Sequence, residues 1–174
     1  TRVWRFADHV IPAVRAASIP GDQVFDADER ALRRRTHVTI QRVTSDIDPR
    51  MHLNTAISAL MEMVNDLYAF GERRGIKPTG WEDQAPATIA RPETATVVRE
   101  AVEALVKLLS PFTPHMCEEL WEKLGYASGL VSAGWPEADA AVAKADEVEI
   151  PIQVNGKVRA RVTVPSDADD DAIK

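Results

Sequence analysis

The 174-residue sequence contains a single cysteine, Cys117. One cysteine cannot form an internal disulfide, and a free thiol fits a reducing cytosol. No apolar run approaches the roughly 20 residues that a membrane-spanning helix needs. The first residues lack the basic start, apolar middle and small-residue cleavage site of a signal peptide. We therefore expect a cytoplasmic protein that makes no membrane contact.

The sequence also lacks an excess of positive charge. Its 21 basic and 27 acidic side chains give a formal net charge of −6. This balance does not favour nucleic-acid binding, so any such binding must depend on local basic patches. Glycine-rich phosphate loops are absent as well. The remaining composition, 45% hydrophobic and 28% charged, is typical of a folded globular protein rather than a disordered chain.

Apolar periodicity predicts a mostly α-helical bundle. The second helix has the clearest start, because Asp26 and Glu29 have the spacing of a capping box. Asp48 is the predicted N-cap of the third helix, with Pro49 at its first position. That third helix is apolar over much of its surface, which predicts a central place in the bundle. The predicted helices span about residues 2–17, 27–47, 49–74, 92–110 and 114–124.

A β-hairpin is predicted after residue 146, where apolar residues alternate on both sides of Asn155 and Gly156. A two-residue type I′ turn would pair Val154 with Lys157 and set apolar residues opposite charged ones. A three-residue loop, residues 154–156, instead pairs Ile152 with Val158. We predict the three-residue loop, because burial of several apolar side chains outweighs one turn preference.

The chain divides into three predicted parts. Residues 1–135 form the helical bundle, 136–146 a linker, and 147–174 the start of a second, α/β domain. Thr1 lies within a helical pattern, and Lys174 follows an acidic cluster typical of a helix start. We expect the chain to belong to a longer protein.

Two groups of basic residues are candidates for phosphate contact. On the second helix these are Arg33, Arg34, Arg35 and Arg42, and on the second strand Lys157, Arg159 and Arg161. Arginine binds phosphate oxygens in a bidentate manner. The competing interpretation is a solvated surface. Three consecutive helical residues spread over roughly 200°, so Arg33, Arg34 and Arg35 cannot all face one ligand.

His115 and Cys117 lie two residues apart, but no second ligand pair accompanies them. We interpret Cys117 as a small buried hydrophobic residue. Glu118 and Glu119 are neighbours on a helix and do not face each other. The sequence therefore predicts no catalytic residue and no metal site.

Three segments together resemble bacterial leucyl-tRNA synthetases in their order and spacing. They are NTAISALMEMVNDLY (residues 54–68), LLSPFTPHMCEELWEKLG (108–125) and IQVNGKVRARVTVP (152–165). The second segment is shared loosely with the valyl, isoleucyl and methionyl enzymes. The hairpin segment points to the leucyl member.

The resemblance implies the bundle called the anticodon-binding domain, followed by a small mixed α/β domain. It also implies a monomer whose partners are tRNA-Leu and the catalytic body of the same polypeptide. In this family the leucyl bundle touches the inner corner of the tRNA without reading the anticodon.

Leucylation in this family uses ATP and Mg²⁺ in a Rossmann domain with HIGH and KMSKS signatures, which this sequence lacks. The resemblance therefore implies a non-catalytic tRNA-positioning module with no cofactor of its own. The alternatives are the bundle of another class I synthetase and a helical interaction domain that binds a protein and no RNA.

Overall fold

The computed structural model describes residues 2–17, 23–78 and 85–144, together with the backbone of 147–154 and 157–165. The helices are α1 (Arg2–Val14), α2 (Ala27–Ile47), α3 (Leu53–Arg73), α4 (Pro92–Leu109), α5 (Pro114–Lys123) and the one-turn α6 (Ala140–Ala143). A 3₁₀ turn (Leu130–Ala133) follows α5, and strands β1 (Glu147–Val154) and β2 (Lys157–Pro165) form an antiparallel hairpin. The mostly α-helical architecture with a C-terminal hairpin is therefore confirmed.

The capping box at the start of α2 is confirmed. The Asp26 carboxylate accepts hydrogen bonds from the N–H groups of Asp28 and Glu29 at 3.0 and 2.9 Å. The Glu29 carboxylate in return accepts the N–H of Asp26 at 2.9 Å. These bonds satisfy N–H groups that the first turn of a helix leaves open.

The predicted start of α3 is wrong. The helix begins at Leu53, so residues 49–52, predicted as its first turn, lie before it. The N–H of His52 donates to the carbonyl of Asp46 at 2.7 Å, and Met51 adopts a left-handed backbone with φ of 53°. The chain must reverse direction between α2 and α3 before helical hydrogen bonding can resume.

The central helix of the bundle is α4, not α3 as predicted. It packs against α1, α2, α3 and α5, and 12 of its 18 residues are buried. Only 9 of the 21 residues of α3 are buried. The sequence pattern failed here because several apolar residues of α3 remain exposed near its N-terminus.

The segment after α5 is held against α2. The indole N–H of Trp135 donates to the Thr44 hydroxyl at 2.8 Å. The backbone N–H of Asp139 donates to Nδ1 of His37 at 3.0 Å, and α6 packs on α2. The predicted linker thus contains a short helix, while the division into domains at residues 135 and 147 stays a prediction.

The hairpin register differs from the prediction. Val154 pairs with Lys157, as a two-residue turn requires, and Ile152 pairs with Ala160 instead of the predicted Val158. The pairing then passes from Gln153–Val158 to Ile152–Ala160 and so skips Arg159. This irregularity restores the pairing of apolar with apolar residues, as in Ile150–Val162 and Val148–Val164.

Across the described ranges, no helix is both long and apolar enough to cross a membrane.

We predict that Asp26→Ala destabilises the bundle by about 1 kcal/mol, the usual cost of losing a helix N-cap. The hydrogen bond from Arg74, aided by the N–H of Glu29, lowers the pKa of Asp26 to about 2. A lowered pKa means that the ionised group stabilises the fold above the unfolded-state pKa near 4, and that this contribution is lost as the pH falls towards 2.

Urea denaturation at pH 6 and pH 2.5 measures this effect. The stability difference between the wild type and Asp26→Ala should shrink at the lower pH. Asp48→Ala is the matched control, because Asp48 is exposed and its substitution removes the same charge. A difference that does not depend on pH would contradict the prediction.

Candidate nucleic-acid interface

The three consecutive arginines of α2 point in different directions, as the helical spacing predicts. Arg33 turns towards α4, where its Nε lies 2.8 Å from Glu100 Oε2. Its side chain is only 18% exposed, and its guanidinium stacks 4.9 Å from the centre of the Phe25 ring. Arg33 therefore holds two helices together and presents little charge to a ligand.

Glu100 is the shared partner at this contact. Its Oε1 also lies 3.1 Å from Nε2 of His37. Burial acts to raise the pKa of Glu100, but the hydrogen bonds from His37 and Arg33 outweigh it and lower the pKa. The carboxylate stays ionised and keeps Arg33 in place.

Arg35 and Arg42 turn towards α3. Arg35 binds Asp66 through Nε, and Arg42 Nη1 lies 2.9 Å from Glu62 Oε2. All four side chains are between 37% and 45% exposed. Ion pairs this exposed contribute about 0–1 kcal/mol, so an incoming phosphate can compete for either arginine.

Arg34 lies between these two directions and faces solvent. No hydrogen bond or ion pair joins its guanidinium to another residue in the described part of the chain. Of the three consecutive arginines, it is the one whose charge is fully available.

A groove of about 420 Å³ runs between α2 and α3 beside Arg34. Its rim carries the guanidinium groups of Arg34, Arg35 and Arg73 and the carboxylate of Asp66. Its floor is apolar and includes Leu32, Val38, Ala69 and Phe70. We call this feature the α2–α3 groove. Arg35 and Arg73 are paired with Asp66 and Asp28, so the charge of Arg34 makes the groove locally positive on a protein of negative net charge.

Arg73 is a further cation at the groove that no sequence pattern indicated. It lies in the last turn of α3 and binds Asp28 at 2.6 Å while remaining 55% exposed. Its neighbour Arg74 is committed to the Asp26 carboxylate, with both oxygens 2.7 Å from Nη2. The signal that could have found Arg73 is the antiparallel order of α2 and α3, which places the end of one helix beside the start of the other.

The second group of candidates lies on the hairpin. Lys157 pairs with Val154 and Arg161 with Pro151, whereas the register skips Arg159. Residues at two-residue spacing on a strand share one face only where the alternation is unbroken, and the pairing is irregular at Arg159. Their side chains lie outside the described residues.

The interpretation of Cys117 as a buried apolar residue is confirmed, since its exposure is 0%. Burial raises the pKa of its thiol, which keeps the sulfur protonated and unreactive. His115, two residues earlier, is exposed. Among the residues that the structure describes, no group of His, Cys, Asp and Glu could hold a metal ion.

Comparisons with known proteins bear on this geometry. Over 99% of its length the chain is 42% identical to leucine–tRNA ligases from Geobacter sp. (strain M21) and Citrifermentans bemidjiense, and it spans 19% of each. It is similar in structure to the LeuRS of a crystallised Agrobacterium radiobacter K84 agnB2 LeuRS–tRNA–LeuAMS ternary complex. That match has a TM-score of 0.79 and 29% identity, and it covers 99% of this chain and 20% of the other.

The chain thus spans about a fifth of the length of these relatives. Residues 29–174 match the family model described as the anticodon-binding domain of tRNA ligase. The resemblance inferred from the three sequence segments is confirmed, and this chain belongs to the family of anticodon-binding domains of tRNA ligases.

Proposed function

We propose that this chain is the tRNA-binding module of a leucine–tRNA ligase and positions tRNA-Leu for leucylation by the catalytic part of the same polypeptide. The observation that carries the proposal is the match of 99% of the chain to leucine–tRNA ligases. The similarity to a LeuRS crystallised with tRNA supports it. ATP and Mg²⁺ belong to the catalytic part, and the relatives favour the leucyl enzyme over other class I synthetases.

The α2–α3 groove is the surface of the bundle that fits a phosphate backbone. Arg34 is free, and the exposed pair of Arg35 with Asp66 can open to a phosphate. Arg42 lies seven residues, or about 10 Å of helix, beyond Arg35 and extends the cationic edge. Arginines along this edge would neutralise phosphates and release counterions, which fixes the register of the tRNA without reading bases.

The negative net charge sets the expected strength of binding. The formal net charge of −6 opposes RNA binding by the whole chain, so the isolated chain should bind in the range of non-specific contacts. We expect a Kd on the order of 10⁻⁴–10⁻⁶ M that weakens steeply with salt. A helical domain that binds only a protein partner would show no such salt dependence.

Arg34→Glu is the sharpest test of the groove. We expect about tenfold weaker binding of tRNA-Leu and a salt slope reduced by about one, because the change removes a phosphate contact and adds repulsion. Arg34 has no hydrogen-bond or ion-pair partner among the residues that the structure describes, so the fold should not change. Arg35→Glu is less suitable, since it would place two carboxylates together at Asp66.

Arg50→Glu is the matched control for charge. Arg50 is also exposed, and it lies past the far end of α2, about 20 Å along the helix from Arg34. Fluorescence anisotropy with labelled tRNA over a salt series measures both variants. Equal weakening by both variants would mean that the groove is not the site.

The hairpin makes a separate contribution to the proposal. We expect the double change Arg159→Glu, Arg161→Glu in the complete ligase to raise the KM for tRNA and leave kcat unchanged, because remote phosphate contacts act in binding. Lys144→Glu, at an exposed position after α6, is the control. If charging at limiting tRNA is unchanged, the strand residues are only solvated.

The 174-residue chain should have no activation chemistry of its own, because its sequence contains no nucleotide-binding motif. Leucine-dependent exchange of pyrophosphate into ATP should stay at background. Exchange above background on the purified chain would contradict this expectation.

A further inference from the structure

The N-terminal half of α3 exposes a stripe of large apolar side chains. Leu53, Ile57 and Met61 follow one another at four-residue spacing and are 42%, 39% and 39% exposed. Residues at this spacing lie on one face of a helix. Met51, in the turn just before them, is 68% exposed. We call these four residues the α3 apolar face.

The same stripe continues along α3, where it is covered. Val64 and Tyr68 extend the spacing and are 1% and 8% exposed. Their cover is α1. Arg2 donates to Asn65 at 2.8 Å, the Tyr68 hydroxyl donates to the Arg2 carbonyl at 3.1 Å, and the rings of Phe6 and Tyr68 lie 5.2 Å apart.

These contacts fix the direction of α1. Its first turns pass from Arg2 beside Asn65 to Phe6, whose ring lies against Gly71. The part of the stripe from Leu53 to Met61 therefore has no covering helix within the described residues. One continuous apolar stripe is half packed and half open.

The open half also differs in charge from the rest of the protein. The twelve residues from Arg50 to Met61 include no acidic side chain, although the chain carries 27 of them. The other exposed large apolar residues, Val24, Val131 and Trp135, lie singly on other elements. Scattered apolar residues need no explanation, but a contiguous apolar face marks an interaction surface.

We propose that the α3 apolar face is the docking surface for another part of the same ligase polypeptide, lying in line with α1 along the N-terminal half of α3. The proposal rests on the proposed function only in that this domain belongs to a longer ligase. The relatives are about five times as long as this chain, which spans 19% of them, so they contain the polypeptide that could supply the cover.

RNA is a poorer occupant than polypeptide. Leu53, Ile57 and Met61 are large apolar side chains that offer no hydrogen-bond donor to a phosphate. An apolar surface of a folded protein matches the stripe chemically, because it buries these side chains without leaving polar groups unpaired. The C-terminal half of the stripe is covered by α1, which is itself a polypeptide helix with an apolar buried face.

Thiol labelling tests the proposal. Ile57→Cys and the control Ala69→Cys are each placed in the 174-residue chain and in the complete ligase. Ala69 is an exposed residue of α3 beside the α2–α3 groove. Iodoacetamide labelling of the Ile57→Cys variant should be slower by about tenfold or more in the complete ligase, because a covered thiol is inaccessible. The control should label equally in both.

Met61→Cys gives a second position on the same face, and slow labelling of native Cys117, which is buried, reports that each variant is folded. Equal rates for the Ile57→Cys variant in the two proteins would overturn the proposal. So would protection that rises with concentration in the 174-residue chain, which indicates a second copy. Protection that needs added tRNA would identify RNA as the occupant and also overturn it.

The same variants separate this proposal from the proposed function. Added tRNA should protect the Ala69→Cys variant if the groove binds RNA. If the Ile57→Cys variant is protected in the complete ligase but tRNA never protects the Ala69→Cys variant, the docking face stands and the RNA groove fails.

Discussion

The carboxylate of Glu29 is buried where α2 and α4 begin, and its bonds join these two helices. Its Oε2 accepts the N–H of Asp26, and its Oε1 accepts the Thr94 hydroxyl at 2.7 Å and lies 3.0 Å from Arg91 Nε. A buried carboxylate that lost these partners would cost several kcal/mol. Because Asp26 also holds Arg74 at the end of α3, the capping box links α2 to both α3 and α4.

This arrangement decides which arginines can act on a ligand. Because the first turn of α2 is held in place, Arg33 forms its ion pair with Glu100, and Arg74 forms its ion pair with Asp26. The charges left at the surface beside the groove include Arg34, which has no ion-pair partner among the described residues, and Arg35, Arg42 and Arg73, whose ion pairs are exposed. Arginines that hold helices together are therefore sequence neighbours of arginines that can bind a ligand. Only the residue that each arginine contacts distinguishes the two kinds.

The sequence predicted the fold correctly where one local preference acted without a second, opposing constraint. Asp26 and Glu29 predicted the start of α2, and Pro92 and Pro114 the starts of α4 and α5. It failed where two constraints met. In the hairpin, the pairing of Val154 with Lys157 and the pairing of apolar residues were treated as exclusive, whereas the strands have both because the register skips Arg159. Helical spacing predicted that Arg33, Arg34 and Arg35 diverge, but their partners on α3 and α4 depend on packing that the sequence does not display.

The exposed start of α3 misled the prediction of a central helix for a related reason. Periodicity reports that a face is apolar and does not report what covers it. Ile57 and Asp66 are nine residues apart and so lie about 180° apart around α3. The α3 apolar face and the α2–α3 groove are thus opposite surfaces of one rigid element. A polypeptide docked on the first would leave the second open to a phosphate backbone, and α3 would fix the position of the RNA relative to the docked polypeptide.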